Sequence, residues 1–201
     1  MKEIKTEWVT EELGKIAKMT SGGTPDKKHV EYYEGGTIPW VRSGELDKGV
    51  IWDTEIKITQ AGLENSSAKL FPKGTLLIAL YGATIGKLGF LGIEACTNQA
   101  ICAIFENEKV TLKYLYYYLL LCRNSLIEQG IGGAQPNISQ TILKKLPIKY
   151  PKDKETQSLI VEQIEAQLSC CDNIKRILES ALNDTEILRL SVLKKAFEGE
   201  L

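Results

Sequence analysis

Residues 82–88, GATIGKL, are the first stretch whose residue types and spacing could do chemistry. They follow an apolar run, as a phosphate-binding loop does, but that loop needs four residues between its glycines and a Ser or Thr after its lysine. Here three residues separate the glycines, and Leu88 follows the lysine and cannot ligate magnesium. We therefore exclude nucleotide hydrolysis. Thr84 could still donate a hydrogen bond to a phosphate and Lys87 could supply charge, although a hairpin turn without function explains the loop equally well.

Residues 132–140, GGAQPNISQ, are rich in side chains that form hydrogen bonds. Amide side chains can bind adenine edges in the major groove or the DNA backbone. Gln135 and Asn137 are therefore candidate DNA contacts. Ser139 is explained by a structural role, because serine is a favoured helix N-cap.

Arg42 stands where a predicted strand meets the turn SGEL. Arginine can bind guanine with two hydrogen bonds or hold a phosphate, so Arg42 is a third candidate contact. An ion pair with Glu45 or Asp47 would explain it as well. Tyr81, immediately before the glycine loop, completes the predicted set.

No residues form a recognisable catalytic group. The sequence contains neither an adenine-methyltransferase tetrad nor a dinucleotide-binding glycine motif, and its one histidine, His29, lies beside two lysines in a loop-like stretch. The five cysteines match no metal or redox spacing, and we expect them to be buried, reduced thiols. We expect no metal and no cofactor, so the residues favour a binding protein over a catalyst.

Composition sets further limits. The chain is 43% hydrophobic and 25% charged, which is typical of a globular protein. No run of about 18 apolar residues predicts a membrane helix, and the N-terminus lacks a signal-peptide core, so we expect a cytoplasmic protein. The net charge is −1, so a DNA-binding face would have to be a local patch.

Short elements must position the candidate residues. We predict short helices capped by Thr10, Thr111 and Ser139, and a further short helix at residues 59–68. Leu115, Leu119, Cys122 and Leu126 form one stripe of the helix that Thr111 caps. We predict strands at residues 38–42, 50–58, 74–81, 87–90 and 95–105. The run 74–81 is apolar throughout, which indicates a sheet that is covered on both faces.

This mixture predicts an α+β domain with a curved, mostly antiparallel sheet. Trp40 and Trp52 are expected in its core. Asn98 and Gln99 fall inside the last predicted strand, so one amide should face the core and be hydrogen-bonded, where it could fix the loop at Gly82 or Gly132.

The residue composition of the chain changes after Pro151. Residues 154–197 contain neither Pro nor Gly, so they can form one helix of about 65 Å. Such a helix is too long to bury its apolar seam on one small domain and therefore needs a partner helix, most simply that of a second copy. A helical hairpin is the alternative, but no break favours it. The seam residues are Val161, Ile164, Leu168, Cys171, Ile174, Leu178, Leu182, Leu188 and Val192.

Six motifs in order carry a family resemblance. They are LGKIAKMTSGGTP (13–25), IPWV (38–41), GTLLIALYGATIGKLG (74–89), ACTNQAICAI (95–104), GGAQPNISQTILKKLPI (132–148), and EQIEAQL with ILRLSVLKKAFEGEL (162–168 and 187–201). With these motifs the chain resembles the DNA specificity subunits of type I restriction-modification systems, over its whole length.

The resemblance implies a target-recognition domain over residues 1–150 and a spacer and dimerisation helix over residues 151–201. In that family two such domains and two such helices usually occur in tandem, and the helices pair as an antiparallel coiled coil. The subunit has no catalytic activity and binds double-stranded DNA, methyltransferase subunits and, for restriction, motor-nuclease subunits.

This chain carries one copy and begins and ends where a natural half would, so we expect a homodimer. A two-fold protein reads a two-fold site, so its target would be two identical, inverted half-sites separated by a spacer. Three alternatives stay open. The chain could be a regulatory half-subunit that pairs with another specificity subunit and alters or blocks its target. It could be a DNA-binding domain split from a fused methyltransferase-nuclease chain, or, least favoured, an independent enzyme.

Overall fold

The computed structural model describes residues 7–47, 49–129 and 137–200. Their contacts divide the chain into two compact units, Met1–Ser158 and Leu159–Leu201. The strands are β1 (Trp8–Glu12), β2 (Met19–Ser21), β3 (Ile38–Val41), β4 (Gly49–Ile51), β5 (Lys57–Ile58), β6 (Leu70–Phe71), β7 (Leu76–Ala79), β8 (Leu88–Leu91), β9 (Ala95–Thr97), β10 (Ile101–Ile104) and β11 (Pro147–Pro151). The α-helices are α1 (Leu13–Ile16), α2 (Gln60–Glu64), α3 (Leu112–Leu121), α4 (Arg123–Glu128), α5 (Gln140–Lys145) and α6 (Lys154–Glu198).

Pairing among the described strands is mostly antiparallel. A five-stranded sheet has the order β2-β10-β7-β8-β4, a four-stranded sheet has the order β5-β3-β9-β6, and β1 pairs with β11. Only the pairs β3–β9 and β4–β8 are parallel within this described part. The α+β class and the mostly antiparallel pairing are confirmed, but the strands form three sheets where the sequence predicted one.

The core lies around the middle of the five-stranded sheet. All four residues of β7 are buried, and so are all four of the neighbouring β10. Because alternate residues of a strand face opposite sides, the sheet is covered on both faces here, as the apolar run predicted. Leu77, Ala79 and Ala103 pack in one cluster with Val41 and Leu91.

Two predicted strands are each divided between sheets. Residues 95–105 form β9 and β10, which belong to different sheets, with a turn at residues 98–100 between them. Residues 50–58 likewise divide into β4 and β5. The apolar pattern continues across both breaks because each half is buried, so periodicity could not reveal a change of sheet.

Two of the three predicted N-caps are confirmed. The side chains of Thr111 and Ser139 each accept a hydrogen bond from the backbone N–H three residues further on, at the starts of α3 and α5. The helix predicted at residues 59–68 is the shorter α2, and Thr59 caps it in the same way. Thr10 is the exception, because it lies inside β1 and pairs with Lys149 of β11. Strand pairing over five register positions outweighs the local preference of Thr10 to begin a helix, and α1 starts only at Leu13.

The helix capped by Thr111 is broken where the sequence predicted a continuous stripe. Leu115, Leu119 and Leu126 are fully buried, but α3 ends before Cys122 and α4 begins after it. Cys122 itself is only partly buried.

The predictions for the two tryptophans differ in outcome. Trp40 is buried, and its Nε1 donates to the Gly23 carbonyl oxygen at 3.0 Å. Trp52 is 63% exposed, so its predicted core position is wrong. It follows the edge strand β4, and the Lys73 ammonium stands 5.5 Å from its ring centroid.

The long helix α6 begins inside the first unit. Gln157 is fully buried and accepts a hydrogen bond from the Thr111 backbone N–H at 2.8 Å. It also donates to the carbonyl oxygens of Lys109 and Pro151, at 2.9 and 2.8 Å. This single amide therefore ties the first helical turn to the loop before α3 and to the end of β11.

The helix has 45 residues, and its single-helix prediction is confirmed almost to the residue. Among its described residues, every side chain beyond Glu165 is exposed in the single chain. No helix in the described part is long and apolar enough to span a membrane.

Candidate nucleic-acid interface

Backbone hydrogen bonds bring several predicted loops together at the ends of their strands. The Leu80 N–H donates to the Ala100 carbonyl oxygen at 2.8 Å, and the Ile138 N–H donates to the Leu80 carbonyl oxygen at 2.9 Å. The Asn98 N–H donates to the Val41 carbonyl oxygen at 3.0 Å, which places Arg42 beside the turn at residues 98–100. We call residues 21–25, 42–47, 81–87, 98–100 and 137–139 the loop cluster.

The loop at residues 21–25 can join the cluster only because it contains glycines. The Gly23 N–H donates to the Thr97 carbonyl oxygen at 2.9 Å. A Cβ added at Gly22 would lie 2.1 Å from the same oxygen, which no side chain could tolerate. Thr24 donates to the side-chain oxygen of Gln99.

Tyr81 and Asn137 lie opposite each other on paired backbone segments. They form an isolated antiparallel bridge, and both side chains are exposed. Sequence spacing alone did not connect these two candidates, which are separated by α3 and α4. Gln135, the other predicted amide contact, lies outside the described residues.

Thr84 and Lys87 lie in the turn that follows Tyr81. The Thr84 hydroxyl donates to the Tyr81 carbonyl oxygen at 2.9 Å and so stabilises the turn itself. The Lys87 Nζ stands 3.0 Å from Asp47 Oδ2. Gly86 has φ +72°, the left-handed conformation that favours glycine. The loop is thus a structured turn that presents one cation already paired with a carboxylate.

Arg42 is held by two acidic side chains. Its guanidinium forms an ion pair with Glu55, and its Nε stands 3.9 Å from Glu45 Oε2. The carboxylate of Glu45 is buried and accepts the Arg42 backbone N–H at 2.7 Å. The competing ion pair with Glu45 is therefore present, but Asp47 pairs with Lys87 instead, and Glu55 was not predicted.

The two amides predicted to lie inside a strand are in the turn between β9 and β10. Gln99 is exposed and bonds to Thr24, not to either glycine loop that the sequence suggested. Asn98 is half-buried, and its Oδ1 is buried without a hydrogen-bond partner among the described residues. The break between the strands explains the error, since strand alternation does not apply within a turn.

Arg123 and Gln140 reach the loop cluster without having been singled out as contacts. The Arg123 Nε donates to the Ile85 carbonyl oxygen at 3.3 Å, and its Cγ would lie 2.7 Å from a Cβ at Gly86. Gln140 Nε2 donates to Ser21 Oγ at 2.6 Å. The sequence could have pointed to Arg123 because arginine is rare in the first 150 residues, where only Arg42 and Arg123 occur.

Burial raises the pKa of several titratable groups near the cluster. Burial raises the pKa of Cys96 to about 11 and that of Cys102 to about 12, so both thiols are protonated at neutral pH. Burial, together with the charge of Asp47, raises the pKa of Tyr116. Cys170 and Cys171 are exposed in the single chain, against the prediction of buried thiols. No group of metal-binding side chains occurs in residues 7–47, 49–129 and 137–200.

The cluster offers a mixed surface of hydrogen-bonding groups with locally compensated charge. Tyr81, Asn137 and Gln99 expose hydroxyl and amide groups of the kind that contact bases or backbone. The cations Arg42 and Lys87 carry carboxylate partners. Such a surface suits selective hydrogen bonding better than strong, general attraction to phosphate.

The sequence profile of the type I restriction modification DNA specificity domain matches residues 5–183. The chain belongs to this family. It is 28% identical, over 79% of its length, to the Escherichia coli type I restriction enzyme EcoR124I/EcoR124II specificity subunit, of which it covers 40%. It is 29% identical, over 96% of its length, to the Methanocaldococcus jannaschii type I restriction enzyme MjaIX specificity subunit, of which it covers 43%.

Solved structures show the same fold. The HsdS subunit from Thermoanaerobacter tengcongensis matches 99% of this chain with a TM-score of 0.73 and 19% identity. The type I restriction-modification S subunit from M. genitalium matches 89% with a TM-score of 0.60. This chain covers 47% and 44% of those two chains. It therefore spans less than half the length of these relatives.

Proposed function

We propose that this chain is the non-catalytic, sequence-specific DNA-recognition subunit of a type I restriction-modification complex. Residues 1–150 would form the target-recognition domain, and residues 151–201 the spacer and dimerisation helix. The observation that carries the proposal is the DNA specificity family match over residues 5–183, which includes both the loop cluster and most of α6. The complex acts on genomic DNA, which is consistent with the cytoplasmic location expected from the sequence.

The loop cluster is the proposed DNA-contacting surface. Its convergence of five chain segments supports this assignment, because a cluster of loops on a rigid sheet is a common site for binding residues. The proposed contact residues are Arg42, Tyr81, Thr84, Lys87, Gln135 and Asn137. Tyr81 and Asn137 would read bases or the sugar-phosphate backbone together, since the bridge between them fixes their spacing.

The exposed apolar residues of α6 support self-association. Leu178 and Leu182 are 64% and 68% exposed in the single chain, and leaving such side chains in water is unfavourable. We propose that α6 forms an antiparallel coiled coil with α6 of a second copy. Of the seam residues predicted from the sequence, Val161 is already buried in the single chain and Ile164 is half-buried, so the interface would use the seam from Leu168 onward.

Two copies joined in this way would supply the second recognition domain that the longer relatives carry in one chain. The target would be two identical, inverted half-sites with a spacer between them, because a two-fold assembly reads a two-fold site. Methyltransferase subunits would bind the dimer and flip an adenine out of each half-site for methylation. Motor-nuclease subunits would join for restriction. The chain itself would need no cofactor.

Mapping of methylated adenines tests the proposal. The chain would be expressed with a type I methyltransferase subunit from the same genome, in a host without adenine methylation, and the host DNA would be sequenced for modified bases. We expect one motif with two inverted, identical halves around a spacer. Expression of the methyltransferase subunit alone is the control and should give no motif.

The other outcomes separate the alternatives. An asymmetric bipartite motif would keep the recognition role but assign the second half-site to a different specificity subunit. Absence of any new motif, with both proteins present, would reject the recognition role and favour a regulatory half-subunit that alters or blocks another subunit. Incorporation of methyl groups by the purified chain alone would reject the non-catalytic assignment.

A further inference from the structure

The two cationic residues among the proposed DNA contacts are paired with carboxylates from one short stretch. Arg42 pairs with Glu55, and Lys87 pairs with Asp47 at 3.0 Å. The same stretch holds Glu45 and Asp53, so residues 45–55 carry four acidic side chains beside the loop cluster. DNA phosphates would therefore meet each cation with a negative partner already in place.

The backbone holds the first pair in position. Glu45 is buried, and its two carboxylate oxygens accept the backbone N–H groups of Arg42 at 2.7 Å and of Glu55 at 2.9 Å. One buried carboxylate therefore fixes the starting points of both partners. Forming an ion pair between two long surface side chains costs side-chain entropy. Because Glu45 already fixes the backbone of both residues, less conformational entropy is lost when this pair forms.

The second pair is positioned by an unusual backbone conformation. Asp47 has φ +79°, a region that residues other than glycine rarely adopt, and its N–H donates to the Leu88 carbonyl oxygen at 3.0 Å. This turn directs Asp47 toward the residue that precedes β8, which is Lys87. Aspartate tolerates the left-handed conformation better than most residues do.

The pairing leaves part of the hydrogen-bonding capacity of Arg42 unused. Among the described residues its Nε is buried without a hydrogen-bond partner, since Glu45 Oε2 stands at 3.9 Å. Its partner Glu55 is 64% exposed, so the pair can open into solvent. The Arg42 side chain is itself 40% exposed, so its terminal NH groups can exchange Glu55 for another anion or acceptor, such as a phosphate or a guanine edge.

We propose that Glu55 and Asp47 compete with DNA for Arg42 and Lys87. On binding, each cation exchanges its carboxylate for a DNA group, and in the free chain the two carboxylates suppress binding to arbitrary duplexes. This inference rests on the proposed function, because it takes DNA as the ligand. Glu55 and Asp47 then set the affinity without touching the bases.

Binding of the full chain to a 30-base-pair duplex of arbitrary sequence, followed by fluorescence anisotropy at fixed ionic strength, tests the competition. Glu55→Gln and Asp47→Asn each remove a charge while keeping shape, and asparagine also accepts the left-handed conformation. We expect each to tighten duplex binding about threefold, and both together about tenfold, the scale of one exposed ion pair per substitution.

Asp53→Asn is the matched control. Asp53 lies in the same stretch and is 73% exposed, but it pairs with Lys57 at 3.2 Å and not with a proposed contact. It removes the same charge, so it reports the general field that salt screens over about 8 Å. We expect its effect to stay below about 1.5-fold.

The Arg42→Gln background tests whether the effect of Glu55 depends on its ion pair with Arg42. In the Arg42→Gln chain, Glu55→Gln should no longer tighten duplex binding beyond the Asp53→Asn control. The proposal is overturned if Glu55→Gln matches the control in the native background, if its gain persists without Arg42, or if no variant binds duplex at low salt.

The two proposals fail separately. A methylation motif combined with equal effects of Glu55→Gln and Asp53→Asn would overturn only the competition. Pair-dependent tightening without any methylation motif would support the competition and reject the proposed role in methylation. Thermal unfolding midpoints of the Glu55→Gln, Asp47→Asn and Asp53→Asn chains, measured in parallel, should match the native chain and exclude folding as the cause.

Discussion

The two compact units of the chain use their apolar residues in opposite ways. In the first unit, Leu76, Leu77 and Ile78 of the central strand are fully buried. In the second, Leu178 and Leu182 leave about two thirds of their surface exposed. Burial stabilises by roughly 25 cal/mol per Å² of apolar surface. The first unit gains this free energy within the chain, whereas the seam of the second from Leu168 onward would gain it only from a partner.

The sharpest test of this difference is to place charge on the helix seam. Leu178→Glu with Leu182→Glu should raise the dissociation constant of the proposed homodimer at least about 1000-fold, because four leucines are lost per dimer and each buried leucine contributes roughly 1.5–3 kcal/mol. Sedimentation equilibrium across a range of protein concentrations measures the constant.

Asn173→Glu with Ser180→Glu is the matched control. Both positions are exposed and lie on the opposite side of the helix, so dimerisation should persist. A native chain that sediments as a monomer at micromolar concentrations would contradict the comparison between the units. So would a dimer that survives the leucine substitutions.

The same leucine-to-alanine change should act differently in the two units. Leu77→Ala creates a cavity in a closed core and should lower the free energy of unfolding by about 3 kcal/mol at any protein concentration. Leu182→Ala should lower stability only through the dimer, so its effect should grow with protein concentration.

Urea unfolding at two protein concentrations, tenfold or more apart, distinguishes these cases. Equal, concentration-independent losses for both variants would mean that Leu182 is packed within its own chain, against its 68% exposure.

Acidic side chains should show a smaller contrast of the same kind. Glu45 is buried and accepts two backbone N–H groups, so Glu45→Ala should lower the free energy of unfolding by about 2 kcal/mol, because both donors lose their partner. Glu179 on the helix is exposed and stands 3.9 Å from Lys175, so Glu179→Ala should change it by less than about 0.5 kcal/mol. Thermal unfolding of both variants measures the difference. A loss below about 0.5 kcal/mol for Glu45→Ala would mean that water replaces the carboxylate at no cost.

Local patterns predicted the elements that depend on local interactions. The α6 helix and the caps Thr111 and Ser139 were predicted correctly, because helical hydrogen bonds and caps join residues three or four positions apart. Thr10 was read wrongly because its fate depends on β11, which lies far along the chain. Strand breaks within apolar runs were missed for the same reason.

The sequence predicted which residues belong to the candidate site better than it predicted how they are arranged. Arg42, Tyr81, Thr84, Lys87 and Asn137 all lie in the loop cluster, but nothing in their spacing showed that Tyr81 bridges to Asn137. Glu55 was missed because a pair with Arg42 requires the chain to return from β4 to the end of β3. Their roles in DNA contact remain proposals.

The sequence by itself determined the long helix, its unpartnered apolar seam and the membership in the specificity family, because helix periodicity and ordered motifs are properties of the chain alone. Only the tertiary structure decided which loops meet and which charges pair. Strand pairing and the ion pairs of Arg42 and Lys87 join residues that approach each other after the sheets have formed. The compensated charge of the proposed DNA surface is therefore a consequence of the fold, and no local pattern could have predicted it.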